Sequence, residues 1–456
     1  MIPTRLADVA RAVGGTLDAV PDPEAVVTGE VSVDSREVGP GGLFVAIPGT
    51  RHDGHDFAVD AVRRSGAAAV LAHYPVGVPA VIVPDTVVAL GHLARAVVGR
   101  SPDLVVVGIT GSAGKTSTKD LLASTLAPAM PTVAARGNNN NEIGLPLTVL
   151  RVSEETRALV AEMGARGIGH IRALTEIAPP RIGAVLNVGS AHLGEFASVE
   201  GIALAKGELV EALPADGVAV LNADDPRVRA MAARTAARVV LVGRADGADV
   251  RATDIRLLAG ARPAFTLLTP EGVAPVELAY VGAHQVGNAL AAAAVARELG
   301  MDVAAVAAAL SAARPASRWR MEVRERADGV TVVNDAYNAS PDSMRAALDA
   351  LAALGADRRT WAVLGEMLEL GESSEVEHSD VGRHAAKLGI DRLVVVGDDA
   401  AAIVRGAGSG EVVPDVDAAV ALLDAQVRPG DVVLVKASRS IGLERVVAAL
   451  LAEAAS

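Results

Sequence analysis

Seven residues, Thr110-Gly-Ser-Ala-Gly-Lys-Thr116, combine the types that a phosphate cradle needs. Gly111 and Gly114 free the backbone to turn N–H groups inward, Lys115 can reach terminal phosphates, and the Thr116 hydroxyl can hold a magnesium ion. Ser112, Ala113 and Ser117 complete the loop and its exit. The usual spacing would place glycine at 109, where this chain has Ile109, so the loop is a shorter form. A glycine-rich turn with a solvated lysine is the plain alternative. Gly-Lys-Thr directly after an apolar strand favours nucleotide binding.

Other candidates lie downstream and upstream of this loop. Glu162 closes the apolar run Ala158 to Met163; at the end of a strand beside a phosphate loop it reads as a magnesium ligand, a salt bridge at a sheet edge being the alternative. His192 follows the strand Ile182 to Val188 and taken singly reads as a satisfied loop histidine. Lys206 stands with Glu208 and Glu211 on an alanine-rich helix, a pattern that reads as a solvated face. Asp335 ends another strand and suits either a ribose diol or a helix cap. In Asp34-Ser35-Arg36, Ser35 and the Arg36 fork could meet a diphosphate, although a solvated turn is the stronger reading from spacing alone. His52 and His55, in the polar stretch 49–57, have weak metal-ligand spacing. The amides Asn138 to Asn141, Asn139 and Asn140 among them, suit either a solvated loop or a polar ligand.

The elements that must position these groups alternate between strand and helix periods, which defines an α/β protein. Three units are expected. Residues 1–100 form a small α/β unit with a helix over Leu6 to Val13, stopped by Gly14-Gly15, and strands at Leu43 to Ile47 and Ala68 to Leu71. Residues 101–313 form a central parallel sheet of the phosphate-loop ATPase type, with a β-rich stretch at 237–281 and a helix from Gly282 to Leu299. Residues 314–456 form a Rossmann-like unit with strands at Gly329 to Asp335, Trp361 to Leu364, Leu393 to Val396 and Val432 to Val435, without a dinucleotide glycine fingerprint.

Composition narrows the partners. The chain has 456 residues, 51% hydrophobic but only 2% aromatic, so Ala, Val and Leu must fill the cores and a base-stacking surface is not expected. A net charge of -13 disfavours a nucleic-acid backbone as partner, and zero cysteines exclude disulfides, thiol catalysis and cysteine-held zinc. The N-terminus lacks the apolar core of a signal peptide, and apolar runs are broken before they could span a bilayer. The expectation is a cytoplasmic monomer with no membrane partner.

Together these stretches resemble the Mur ligase family of peptidoglycan synthesis over nearly the whole chain. The resemblance rests on Thr110 to Thr116, Asn138 to Thr148, His284 to Asn288, Asn334 to Met344, Val363-Leu-Gly-Glu-Met-Leu-Glu-Leu-Gly371 and Val435-Lys-Ala-Ser-Arg439. It implies the branch that joins D-alanyl-D-alanine to UDP-N-acetylmuramoyl-tripeptide through an acyl phosphate, using ATP and Mg2+. The first unit would hold the UDP end through Asp34-Ser35-Arg36 and the 49–57 loop, and the third would hold the dipeptide. Lys115 and Thr116 would bind phosphates and magnesium. Glu162 and His192 would ligate magnesium, with Lys206 as a carbamylated lysine, which reverses its reading from pattern alone. Asn288 would touch adenine, Arg318 the phosphates and Asp335 the ribose with Tyr337 nearby; Ala316-Ser317-Arg318 departs from the family in lacking a glycine before the arginine. Lys436, Ser438 and Arg439 would meet the dipeptide carboxylate. A folylpolyglutamate synthase is the neighbouring alternative, and a non-catalytic nucleotide-dependent module the one from another class.

Overall fold

The computed structural model describes residues 1–190, 193–196 and 198–452. Its centre is a nine-stranded sheet. The strand order runs Gly272–Glu277, Arg262–Thr269, Val250–Leu258, Arg238–Gly243, Val218–Asn222, Ile182–Val185, Val105–Thr110, Ala158–Glu162, Thr132–Ala134. The six strands from Arg238–Gly243 to Thr132–Ala134 pair in parallel, and Val250–Leu258 joins them in parallel before two antiparallel strands finish the edge.

Parallel strands covered on both faces read as continuous apolar runs. Val105–Thr110, with sequence Val-Val-Val-Gly-Ile-Thr, is buried at every position but the first. The helix Gln285–Glu298 packs beside the helix Lys115–Leu126, and its run Ala289 to Ala296 is wholly buried. Small side chains let the two helices and the sheet come close, which is how a core with few rings is filled.

The chain enters the central sheet at Val105–Thr110, works toward the Thr132–Ala134 edge, then crosses back to Ile182–Val185 and proceeds the other way. The loops leaving Val105–Thr110 and Ile182–Val185 therefore diverge. Open α/β sheets bind ligands at such a switch point, outside the carboxyl ends of the strands.

The first unit is a five-stranded sheet, Thr16–Asp18, Ala80–Ile82, Ala69–Ala72, Leu43–Val45, Val31–Ser32, with a two-stranded ribbon of Thr4–Arg5 and Val26–Val27. Its helix Leu6–Val13 ends where the sequence indicates, at Gly14 with φ +66°. The last unit is a six-stranded sheet in the order Glu322–Glu325, Thr331–Asn334, Val432–Lys436, Thr360–Gly365, Arg392–Val396, Glu411–Val413, parallel except for its first strand. Trp361, fully buried, anchors that sheet: its indole N–H donates to Asp431 Oδ2 at 2.8 Å, and Arg359 and Arg392 lie over its ring. Among the described residues no helix is long and apolar enough to cross a membrane.

Candidate active site

A cleft of about 450 Å³ opens between the carboxyl ends of the central and C-terminal sheets. One wall is the loop Ser112 to Gly114 with Ser117; another is the helix start at His284, Gln285 and Asn288; the third carries Arg320, Asp335 and Lys436 from the C-terminal side.

The loop is held in cradle form from the neighbouring strand. Asn187, just beyond Ile182–Val185, accepts from Ala113 N through Oδ1 at 2.8 Å and donates from Nδ2 to Ala113 O at 3.1 Å. Its carbonyl accepts from Ser112 N at 3.1 Å, and Ser112 Oγ accepts from Gly189 N at 2.9 Å. Gly114 must be glycine: its φ is +82°, and a Cβ there would lie 2.4 Å from Asn288 Oδ1. Asn288 also accepts from Thr118 Oγ1 at 3.2 Å and donates to Gln285 Oε1 at 2.9 Å, so the adenine candidate is tied to the phosphate-loop helix.

Lys115 folds back on its own loop, Nζ donating to Gly111 O at 2.7 Å. Burial of the ammonium lowers its pKa and the Arg320 charge adds to that, against the attraction of Glu162. The register that pairs Glu162 with Ile109 sets the Glu162 carboxylate beside the loop. There Oε2 accepts from Thr116 Oγ1 at 3.0 Å and Oε1 from Asn140 Nδ2 at 2.9 Å. Asn139 is half-buried in the same loop, where its backbone N–H donates to Arg136 O. A hydroxyl and a carboxylate are the hard oxygen donors that magnesium takes together with water and phosphate oxygens, and the pair fits such an ion. Among the described residues there is no cluster of three or more His, Cys, Asp or Glu side chains able to cage a metal. His192 lies outside the described residues.

Lys206 corrects the pattern reading of a solvated face: it is 4% exposed, and Glu208 is 2% exposed. Burial first and the Lys115 charge second push the Lys206 pKa well below its ordinary value, and no carboxylate pairs with it among the described residues. Glu208 is spent on structure, accepting from Gly169 N at 2.5 Å and Arg172 N at 3.0 Å at the start of helix His170–Ile177.

On the facing wall, Lys436 is 2% exposed and donates from Nζ to Asp335 Oδ2 at 2.6 Å and to Asn338 O at 2.7 Å. Asp335 Oδ1 accepts from Met321 N at 3.0 Å. Arg318 is exposed and does not line the cleft; Arg320 lines it, with its guanidinium 4.4 Å from the centroid of the half-buried Tyr337 ring. Arg320 and Asn187 are the two residues that sequence reasoning missed. Ser438 Oγ accepts from Leu368 N at 3.0 Å, and Arg439 pairs with Glu444 at 2.7 Å with its guanidinium 4.3 Å from the Trp319 ring.

The first-unit candidates lie apart from this cleft. The exposed Arg36 fork closes on Asp34, whose carboxyl its hydrogen bonds hold down at about 2, while Ser35 O accepts from Ser65 Oγ at 2.6 Å. His55 has both ring nitrogens engaged, Nδ1 with Asp53 Oδ1 at 2.5 Å and Nε2 accepting from His73 N at 2.9 Å, so the weak His52/His55 metal spacing is not a metal site.

A phosphate loop at the switch point of one parallel sheet, facing a second sheet that lacks the dinucleotide glycine fingerprint, suits a mononucleotide rather than a dinucleotide. Three family models cover the chain in order: the Mur ligase family catalytic domain at residues 29–97, the Mur ligase middle domain at 109–296, and the Mur ligase glutamate ligase domain at 319–439. The chain belongs to the Mur ligase family. It is 52% identical to the UDP-N-acetylmuramoyl-tripeptide--D-alanyl-D-alanine ligase of Mycobacterium tuberculosis, over 99% of this chain and 98% of that protein. Its fold matches a crystal structure of MurF from Acinetobacter baumannii with a TM-score of 0.89 at 32% identity, covering 99% of both chains. It also matches the MurF ligase from Thermotoga maritima in complex with ADP, with a TM-score of 0.82 at 33% identity, over 94% of this chain and 98% of that one.

Proposed function

We propose that this chain joins D-alanyl-D-alanine to UDP-N-acetylmuramoyl-tripeptide at the expense of ATP, releasing ADP and phosphate, as a cytoplasmic monomer in peptidoglycan precursor synthesis. The observation that carries this reading is the 52% identity, end to end, to a relative of that name. The folate-ligase and non-catalytic alternatives find no comparable support.

A carboxylate does not condense with an amine in neutral water. The tripeptide carboxylate oxygen therefore attacks the γ-phosphorus, the bond to the ADP oxygen breaks, and an acyl phosphate forms. The free amine of the dipeptide then attacks the carbonyl carbon, a C–N bond forms, phosphate leaves, and the amine's proton passes to solvent. The first step brings two anions together, so cations must be fixed in place beforehand. Lys115, once it leaves Gly111 O, and Arg320 opposite it serve that end. Thr116 and Glu162 would hold magnesium, with Asn140 orienting the carboxylate; the ion would neutralise phosphate charge. CO2 adds to a neutral amine with loss of a proton to give a carbamate, and the burial that lowers the Lys206 pKa favours the neutral amine.

Asp335, paired with Lys436 at 2.6 Å, would accept from a ribose hydroxyl, and Asn288 would meet the adenine. The 1–100 unit would hold the UDP end through Ser35, Arg36 and the 49–57 loop, the 101–313 unit the ATP, and the 314–456 unit the dipeptide near Lys436 and Ser438. Phosphate release from ATP and Mg2+ is the test, with each substrate alone and with both, together with the product mass. Release that needs both, with a UDP-pentapeptide formed, is expected; release indifferent to both would remove the substrate assignment.

A further inference from the structure

The segment Ser317 to Met321 joins the central unit to the first strand of the C-terminal sheet, and it is pinned at both ends. Ser317 N donates to Asp120 Oδ2 on the phosphate-loop helix at 3.1 Å. Met321 N donates to Asp335 Oδ1, its neighbour on the same wall of the cleft, at 3.0 Å. Within this segment Trp319 and Met321 adopt left-handed backbone, φ +60° and +49°, although neither is glycine. Non-glycine residues keep such conformations only where their surroundings over-determine them, and such places gather at functional sites.

The surroundings of Trp319 do over-determine it. Its N–H donates to Glu322 Oε2 at 3.2 Å and its carbonyl accepts from Tyr337 N at 3.2 Å. The Arg439 guanidinium lies 4.3 Å from its ring centroid and is itself held by Glu444 at 2.7 Å. Arg320, between the two left-handed residues, is thereby turned into the cleft, over Tyr337 and toward the phosphate-loop lysine. Arg318, one residue before the turn, is left in solvent.

We propose that Trp319, clamped under Arg439, is a positioning residue that aims Arg320 at the phosphates of bound ATP. This rests on the nucleotide reading of the cleft but not on the identity of either acceptor. Arg439 then acts through the indole face rather than on substrate. A cation over an aromatic face attracts through the ring quadrupole, so phenylalanine at 319 keeps the clamp and alanine removes it.

The test is calorimetric ATP·Mg binding to the full-length protein with neither acceptor present, so that failure of the ligase assignment leaves it readable. Trp319→Ala and Arg320→Ala are each expected to weaken ATP binding about tenfold, and the double variant to be no weaker than Arg320→Ala, because residues acting through one another are non-additive. Trp319→Phe should return affinity to within about threefold of wild type. Arg439→Gln, which leaves the connecting segment intact, should reproduce the Trp319→Ala loss and covers the case in which that variant does not fold. Losses that multiply in the double variant, no rescue by phenylalanine, or an Arg439→Gln protein with wild-type ATP affinity would each overturn the proposal.

Discussion

Asn187→Ala removes two hydrogen bonds that hold the phosphate loop open, one in each direction between its amide and the Ala113 backbone, at 2.8 and 3.1 Å. A neutral hydrogen bond contributes about 0.5–1.5 kcal/mol net, so the pair is worth roughly 1–3 kcal/mol. Ala113 is half-buried, so water recovers part of the loss in the variant and the lower half of that range applies. The loop's ties from Ser112 N to the Asn187 carbonyl and from Gly189 N to Ser112 Oγ do not involve the Asn187 side chain and survive. The cost therefore falls on the cradle's preorganisation rather than on the fold. ATP·Mg affinity should drop about 5- to 30-fold by titration calorimetry, at about 1.4 kcal/mol per tenfold, while the melting temperature stays nearly unchanged. Asn187→Asp keeps the acceptor for Ala113 N and loses the donor, and it adds a negative charge beside the phosphates, so it should bind no better than the alanine variant. An Asn187→Ala protein with wild-type ATP affinity would refute the reasoning.

Lys115→Ala should abolish phosphate release while leaving circular dichroism and binding of the UDP substrate close to wild type; loss of folding would count against a phosphate role for Lys115. Lys206 gives a pH signature with a definite sign. Its folded-state pKa lies below the unfolded value, so between the two the unfolded chain binds the proton and the folded chain does not, and stability rises with pH by at most about 1.4 kcal/mol per unit until the unfolded pKa is passed. In CO2-depleted buffer Lys206→Met should lose that slope in denaturant titrations read on the central unit, and parallel wild-type and variant curves would contradict it. Asp431→Ala strips partners from Arg359, the Trp361 indole and Arg428 N at once, in a group only 4% exposed. It should destabilise the C-terminal sheet by about 3–5 kcal/mol in chemical denaturation, and a change below about 1 kcal/mol would mean that water replaces the carboxylate there.

Much of the scaffold was legible because parallel strands buried on both faces leave an unbroken apolar run, as at Val105–Thr110, Thr360–Gly365 and Val432–Lys436. Short two- and three-residue strands such as Val26–Val27 and Thr132–Ala134 carry no period long enough to read. Lys206 and Glu208 were misread from pattern because a helix face is polar in sequence whether water or another element covers it; here Glu208 caps the helix that lies against its own. Arg318 and Arg320 are indistinguishable by composition. What separates them is the left-handed turn at Trp319, a backbone state that no residue type at that position announces. Asn187 is one amide among many, and only the divergence of two adjacent loops gives it the Ala113 backbone to hold.

The charge balance shows why these local devices matter. A chain with net charge -13 repels polyanions at long range, so a phosphate-binding cleft must be built from cations at short range. Lys115 and Arg320 supply them beside the buried carboxylate Glu162; burial first and the Arg320 charge after it lower the Lys115 pKa against the attraction of Glu162, while burial and then the Lys115 charge lower that of Lys206. Among the described residues each of the two cations is held by something other than a salt bridge: Lys115 by Gly111 O and Arg320 by the Tyr337 ring. Cations held by a carbonyl and a ring rather than by a salt bridge can turn onto a triphosphate without first breaking an ion pair. Lys115 and Arg320 are thus placed beforehand near where charge develops, which makes the cleft complementary to a phosphoryl-transfer transition state.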